Sequence, residues 1–132
     1  MNLQINFDSI KPIYIQIAEA IEDDIITGKL NEGEQAYSQL IISKELNINP
    51  ATAAKGINLL VQKGILEKQR GLSMLVTEGA KTKLIEEKRE NAFMSMANEL
   101  VNEARKIELS EEQIMTIIKE LYSNSERSKQ DD

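Results

Sequence analysis

The hydrophobic positions of the chain predict a series of helices separated by short turns. Isoleucine recurs at every fourth position after Pro12, which predicts a first helix that ends at Gly28. Apolar residues at helical spacing predict a second helix over residues 38–46 and a third that begins with Asn49 as its N-cap. Alternating apolar and polar residues at positions 2–7 predict a short strand before the first helix.

A pair of short strands is predicted directly after the third helix. Residues 65–69 and 74–77 have strand character, and the Arg-Gly-Leu-Ser segment between them is a turn. Two helices joined by a tight turn at Asn47, with a hairpin after the second helix, are typical of a winged helix-turn-helix. The predicted fold class is therefore mostly α with a small β-hairpin wing.

The pattern changes after residue 78 to two C-terminal helices. One is predicted over residues 80–107, and Ser110 with Gln113 is a capping box that opens the last helix. The end of the chain is polar and is predicted to be disordered. The predicted organisation is a winged helix-turn-helix domain (1–78), a two-helix segment (79–122) and a disordered tail (123–132).

The composition argues against several classes of chemistry. The 132 residues include no cysteine and no histidine, which excludes disulfides and removes the commonest metal ligand and general base. No nucleophile–base pairing is present, so we predict no enzyme activity, no metal site and no cofactor. The first residues lack the pattern of a secretory signal, and no apolar stretch is long enough to span a bilayer. We expect a cytoplasmic protein without a membrane partner.

The charge of the chain is unevenly distributed. The net charge of −6 argues weakly against a nucleic-acid partner when it is taken alone. Residues 38–78, however, carry five basic and three acidic side chains, a net charge of +2. Residues 1–37 and 79–132 have net charges of −5 and −3. The only net-positive third is the one that contains the predicted helix-turn-helix and hairpin.

The third predicted helix has an apolar stripe and thin outer faces. The stripe consists of Ala53, Ile57, Leu60 and Val61, and the other faces carry Ala51, Thr52, Ala54, Lys55, Asn58 and Gln62. Small residues let a helix backbone approach a DNA groove closely. Thr52, with the exposed amides of the first turn, can bind a phosphate, and Lys55 can reach a base edge or a phosphate. The alternative interpretation is an ordinary solvated helix face.

The hairpin and an internal glycine add to this pattern. Lys68 and Arg70 lie close to the predicted turn at Gly71, where a cation can follow the DNA backbone or enter the minor groove. An ordinary surface hairpin is the alternative.

Gly56 lies inside the third helix, where glycine costs about 1 kcal/mol of helix stability relative to alanine. We attribute this glycine to close packing against the first helix.

Residues 11–35 and 49–71 together resemble the winged helix-turn-helix of the GntR family of bacterial regulators. The Asn-Pro-x-Thr start of the third helix and the short C-terminal part resemble the YtrA subfamily. The resemblance covers about residues 3–122. Its anchor positions are Pro12, Tyr14, Gln16, Ile17, Gly28, Leu30, Gly33, Ser38, Leu46, Asn49, Pro50, Thr52, Lys55, Leu60, Gly64, Arg70 and Gly71.

The resemblance implies a role in DNA binding for specific residues. Ser38 and Thr52 would contact phosphates, Lys55 would lie in the major groove, and the turn at Gly71 would reach the minor groove. The chain departs from the family at Leu40, where the family usually has an arginine. The candidate DNA contacts are Ser38, Gln39, Asn49, Ala51, Thr52, Lys55, Asn58, Lys68, Arg70, Gly71 and Ser73.

The C-terminal helices predict a homodimer. Most members of the family bind a small-molecule effector in this region, but residues 80–132 supply about two helices, too few to enclose a typical ligand pocket. Their apolar faces need a partner, either the winged helix of the same chain or, as we favour, a second subunit. The candidate dimerisation residues are Phe93, Met96, Leu100, Ile114, Ile117 and Leu121.

The leading interpretation is a dimeric, sequence-specific regulator of transcription that represses genes from a palindromic operator in double-stranded DNA. The helix at residues 49–63 would enter the major groove, and the hairpin at residues 65–77 would lie at the minor groove. Repression fits a small dimer, which can block polymerase without an activation surface. The alternative is a winged-helix protein-interaction module that binds no DNA, which the acidic balance and Leu40 favour. The operator, the regulated genes and any effector remain open.

Overall fold

The computed structural model describes residues 3–69 and 74–130, which form helices and one small antiparallel sheet. The elements in chain order are α1 (Ile13–Ile26), α2 (Gln39–Leu46), α3 (Pro50–Gln62), β1 (Leu66–Glu67), β2 (Leu75–Val76), α4 (Ala80–Glu90), α5 (Ala92–Lys106) and α6 (Glu111–Gln130). In the sheet, Leu66 is paired with Val76. The predicted fold class, mostly α with a β-hairpin wing, is confirmed.

Local capping signals set the ends of the helix-turn-helix. The Ser38 hydroxyl accepts a hydrogen bond from the Ile41 amide at 3.1 Å, and α2 begins at the next residue. Asn47 ends α2 in the left-handed conformation (φ 52°), which asparagine adopts more readily than most residues. The Asn49 side chain accepts from the Ala51 amide at 2.9 Å and caps α3. The turn between the two helices is therefore short and locally determined.

The hydrophobic core is built mainly from α1, α3 and the segments that follow α3. Its largest fully buried side chains are Ile17, Ile21, Ile25, Ile42, Leu60, Ile65, Leu66, Val76 and Leu84. Gly56 lets α1 and α3 approach closely, since a β-carbon at this position would collide with the Tyr14 backbone. The packing explanation for this internal glycine is confirmed.

The strand predicted at residues 2–7 does not form within residues 3–7. Leu3 is buried in the core, and the Asn6 amide donates to the side-chain oxygen of Gln16 at 2.8 Å. The Gln16 side-chain amide donates back to the Asn6 carbonyl oxygen at 3.0 Å. A side chain of α1, and not a neighbouring strand, therefore bonds the backbone of this segment. Residues 33–36 are the extended piece that bonds to the hairpin.

The chain divides into two compact units, and the first ends at Glu87 rather than at residue 78. The prediction placed this boundary too early because it assigned all of the helix after residue 79 to the C-terminal segment. Ala80 and Leu84 of α4 are in fact buried in the core of the first unit. The winged-helix core therefore extends one element beyond the hairpin.

The second unit begins at Lys88 and departs from the predicted helices in two places. The helix predicted over residues 80–107 is interrupted at Asn91, whose ψ of −78° leaves helical geometry between α4 and α5. Residues 123–130, predicted to be disordered, continue α6 to Gln130. No glycine or proline follows residue 121, so the sequence contains no helix stop there. The capping box of Ser110 and Gln113 is confirmed.

Candidate nucleic-acid interface

Helix α3 carries four of the eleven predicted contact residues. The inward side of the helix is buried and consists of Ala53, Gly56, Ile57 and Leu60. Ala51, Lys55 and Asn58 are exposed on the other side, and Thr52 is half-buried. These residues are small or of moderate size and carry no charge, with the exception of Lys55. A helix with this cross-section can enter a major groove about 12 Å wide.

The first turn of α3 offers fewer free amides than the sequence suggested. The Ala51 amide donates to the side chain of Asn49. The amides of Thr52 and Ala53 donate to the Asn49 carbonyl oxygen at 3.0 and 3.3 Å. Pro50 has no N–H to offer. The expectation that exposed amides bind a phosphate here is therefore wrong, and any such contact requires the side chains of Asn49 or Thr52.

The first turn of α2 keeps the free donors that α3 lacks. In the described residues the amides of Gln39 and Leu40 have no protein acceptor, whereas the next two amides bond to Ser38. These two amides lie at the positive end of α2, next to the Ser38 hydroxyl that caps it, an arrangement suited to a phosphate. The Leu40 side chain, 60% exposed, lies beside them.

Tyr37 attaches the segment that leads into α2 to the rest of the first unit, and no such role was predicted for it. Its hydroxyl donates to a carboxylate oxygen of Asp24 in α1 at 2.7 Å. Partial burial, the hydrogen bond and the negative charge of Asp24 together raise the pKa of Tyr37 to about 12. The residue directly before Ser38 is thereby tied to α1. No local pattern could have revealed a contact between residues 13 positions apart.

Lys55 lies against an aromatic ring that the predicted site did not include. Its ammonium nitrogen is 4.1 Å from the centre of the Tyr14 ring, within the range of a cation–π contact. Tyr14 lines a groove along α3 together with Ala51, Lys55 and Asn58. Gly56 was the available signal, because its packing against α1 brings Tyr14 beside α3.

The described residues contain part of the predicted wing. Lys68 is exposed just after β1. The Ala36 amide donates to the Met74 carbonyl oxygen at 2.8 Å, which attaches the hairpin to the segment before α2. Three further predicted contacts lie outside the described residues, namely Arg70, Gly71 and Ser73.

The second unit has a large exposed apolar surface and almost no core of its own. Ala104 is the one buried hydrophobic residue among its described positions. Of the predicted dimerisation residues, Ile114 is half-buried, and those exposed are Phe93, Met96, Leu100, Ile117 and Leu121. Further exposed apolar residues of this unit lie outside the predicted dimerisation set, namely Met94, Val101, Ile107, Met115 and Tyr122.

Metal centres and membrane spans are the other kinds of site to consider. Within residues 3–69 and 74–130, no group of three acidic, histidine or cysteine side chains is placed to hold a metal ion. No helix of these residues combines the length and apolar character needed to cross a membrane. Among the described residues, the candidate sites are the α2–α3 surface, the hairpin and the apolar surface of the second unit.

Comparison with known proteins finds a relative over nearly the whole chain. No protein-family profile matches this chain. The chain is 28% identical over 130 residues to the HTH-type transcriptional repressor YtrA of Bacillus subtilis (strain 168). That alignment covers 98% of this chain and 99% of the relative. The similarity therefore includes the second unit as well as the helix-turn-helix.

Solved structures with the same fold carry related names. A GntR family transcriptional regulator from Listeria monocytogenes has a TM-score of 0.70 and 26% identity, covering 86% of this chain and 98% of that chain. YtrA from Sulfolobus acidocaldarius, a GntR-family transcription factor, has a TM-score of 0.54 and 25% identity, covering 92% and 97%. All of the proteins named in these comparisons are regulators of transcription.

Proposed function

We propose that this chain, a GntR/YtrA-type regulator, binds double-stranded DNA as a homodimer and represses transcription from a palindromic operator. In this proposal α3 enters the major groove and the hairpin at residues 65–77 lies at the minor groove. The protein acts in the cytoplasm as a DNA-binding regulator without enzyme activity. The family resemblance predicted from the sequence is confirmed by the relatives described above.

The shape and charge of α3 carry the proposal. Its buried stripe fixes the orientation of the helix, so that Ala51, Lys55 and Asn58 must face outward. The alanine allows close approach, the asparagine can donate to or accept from a base edge, and the lysine supplies a positive charge. The surrounding third of the chain is the one with a net positive charge.

Phosphate contacts would hold this helix in register on the duplex. The free amides at the start of α2, with Ser38 and Gln39, form one donor set. Lys68, and Arg70 further along the hairpin, supply cations for a second stretch of backbone. Contacts of this kind position a protein on DNA, while base contacts from α3 select the sequence.

The second unit supports a homodimer. An amphipathic helix contributes to stability by burying its apolar face, and the faces of α5 and α6 are exposed in the single chain. A second copy offers the same apolar surface and would form a two-fold interface. Two-fold symmetry places two copies of α3 on the two half-sites of a palindrome.

The comparison supports repression as the direction of regulation. YtrA of Bacillus subtilis, which aligns with this chain over 99% of its own length, is a transcriptional repressor by name. A dimer seated on a promoter excludes polymerase by occupying the same DNA. The chain needs no separate activation surface for this effect. Transcription from a promoter carrying the selected site should fall in the presence of the protein.

Selection of bound duplexes from a random DNA pool by the full-length chain tests the function. We expect an inverted repeat to be enriched, and binding to weaken steeply with salt because each neutralised phosphate releases counterions. Lys55→Ala should weaken binding to the selected site about 5- to 150-fold, as expected for a base contact that contributes about 1–3 kcal/mol. Lys119→Ala, which removes the same charge from α6, is the matched control.

Each outcome of this experiment has a definite meaning. Enrichment of a repeat with a large effect of Lys55 alone supports the proposal. Equal losses for Lys55→Ala and Lys119→Ala would show that only total charge matters. A chain that enriches no sequence and shows no salt-dependent DNA binding would favour the protein-interaction module instead.

A further inference from the structure

Lys55 is held by an aromatic ring and not by a carboxylate. Its ammonium nitrogen lies 4.1 Å from the centre of the Tyr14 ring, and in the part of the chain that the structure describes no acidic side chain forms an ion pair with it. Lys63, by contrast, forms an ion pair with Glu22 at 3.0 Å. A carboxylate partner neutralises a lysine, whereas a ring restricts its position and leaves its charge available to an anion.

The position of Tyr14 is set by backbone packing and not by burial of its ring. The carbonyl oxygen of Tyr14 lies against Gly56 of α3, which fixes the start of α1 beside that helix. The half-buried side chains packed on the core include Ile13 but not Tyr14. The ring is therefore positioned precisely enough to contact Lys55 while contributing little to the core.

We propose that Tyr14 is a positioning residue for Lys55 in DNA recognition. The ring holds the ammonium group in the groove that it lines together with Ala51 and Asn58, before DNA is bound. A lysine side chain has several rotatable bonds, and ordering it on binding costs conformational entropy. Holding it in place beforehand lowers this cost and limits the bases that the ammonium group can reach. The inference rests on the proposed DNA-reading role of α3.

Removing the ring should weaken operator binding modestly and broaden base preference at one position. A cation–π contact at an exposed site corresponds to about a two- to fivefold change in affinity. Tyr14→Leu should therefore reduce affinity by about this factor and blur the same base position that Lys55→Ala blurs. Tyr14→Phe keeps the ring and should restore both the affinity and the base preference.

A double-mutant cycle on the full chain tests the coupling of the two residues. The measurement is the affinity for the selected operator of the wild type, Tyr14→Leu, Lys55→Ala and the double variant. We expect the Tyr14→Leu effect to vanish in the Lys55→Ala background, since the ring then has nothing to position. Equal losses in both backgrounds would overturn the inference, as would a loss for Tyr14→Phe as large as that for Tyr14→Leu, which indicates direct contact by the hydroxyl.

A measurement without DNA separates this inference from the proposed function. The Lys55 side-chain protons should show an upfield ring-current shift in the NMR spectrum of the free protein, and Tyr14→Leu should abolish it. An unchanged shift in that variant overturns the positioning role. If the wild type shows the ring-current shift but binds no DNA, the proposed function and the role of Tyr14 in recognition both fail. If it binds DNA without coupling in the cycle, only the inference fails.

Discussion

A β-carbon placed on Gly56 would lie 2.9 Å from the carbonyl oxygen of Tyr14. Real β-carbons essentially never come that close to another heavy atom, so α1 and α3 can keep their present spacing only with glycine at this position. The same close approach places the Tyr14 ring beside Lys55. A packing constraint in the core thus places an aromatic ring beside the outward face of α3.

Gly56→Ala should destabilise the first unit by about 1–3 kcal/mol. Alanine gains about 1 kcal/mol in helix propensity, but the collision is with backbone and with the Ile17 side chain, so the two helices must move apart. Urea denaturation measures the change. Ala54→Gly, at a half-buried position of the same helix, is the control for propensity alone. A variant more stable than the wild type would show that α1 adjusts without cost.

Tyr37→Phe should reduce stability by about 1–2 kcal/mol near neutral pH, because it removes a hydrogen bond to a carboxylate. The pKa of Tyr37 is about 12 in the folded chain, and that of an unfolded tyrosine is about 10. Below pH 10 both states keep the proton, so the contribution is complete. As the pH rises from 10 to 12 the unfolded state loses the proton first, and the contribution of Tyr37 decreases.

Unfolding of the wild type and Tyr37→Phe measured side by side over this pH range tests the prediction. The difference in stability between the two proteins should shrink as the pH passes from 10 to 12. Other tyrosines and lysines titrate in both proteins, so their effect cancels in the difference. A constant difference across this range would mean that the Tyr37 hydroxyl is not bonded to Asp24 in solution.

Features set by neighbouring residues were predictable from the sequence. The caps at Ser38 and Asn49, the turn at Asn47 and the capping box at Ser110 all depend on residues within three positions of each other. The hairpin also followed from local composition. These signals were sufficient for the fold class and for the outward face of α3.

Features that depend on contacts between elements were not predictable in the same way. The Tyr37–Asp24 bond and the Tyr14–Lys55 contact join residues of different elements, and no short window contains both partners. The burial of Leu84 in the first unit likewise depends on where α4 packs. The break at Asn91 was missed because residues 80–107 contain no glycine or proline to signal it.

Leu40→Arg should strengthen DNA binding and make it more dependent on salt. Leu40 is exposed beside the free amides at the start of α2. An added cation there would bind the DNA phosphate that is proposed to contact these amides. One more neutralised phosphate steepens the slope of log affinity against log salt by about 0.9 per subunit. Asn98→Arg adds the same charge on the exposed surface of α5. Equal effects of the two substitutions would remove Leu40 from the interface.

The exposed stripe of the second unit predicts that one charge can separate the subunits. Leu100→Glu places a carboxylate in the middle of α5, where it would be buried in the proposed interface without a partner. The variant should sediment as a monomer at micromolar concentration, whereas the wild type should sediment as a dimer. Asn102→Glu, on the polar side of the same helix, should leave the dimer intact.

The Leu100→Glu monomer should also lose most of its affinity for the full operator. The first unit keeps its core and α3, so each monomer still recognises a half-site, and thermal unfolding of that unit should be unchanged. Linking two DNA-binding units in one dimer raises affinity by about 10²–10⁴-fold through effective concentration, and this gain should disappear in the monomer. Footprinting should show the wild type protecting two half-sites about one helical turn or more apart. A wild type that sediments as a monomer, or a Leu100→Glu variant that still dimerises, would exclude α5 as the subunit interface.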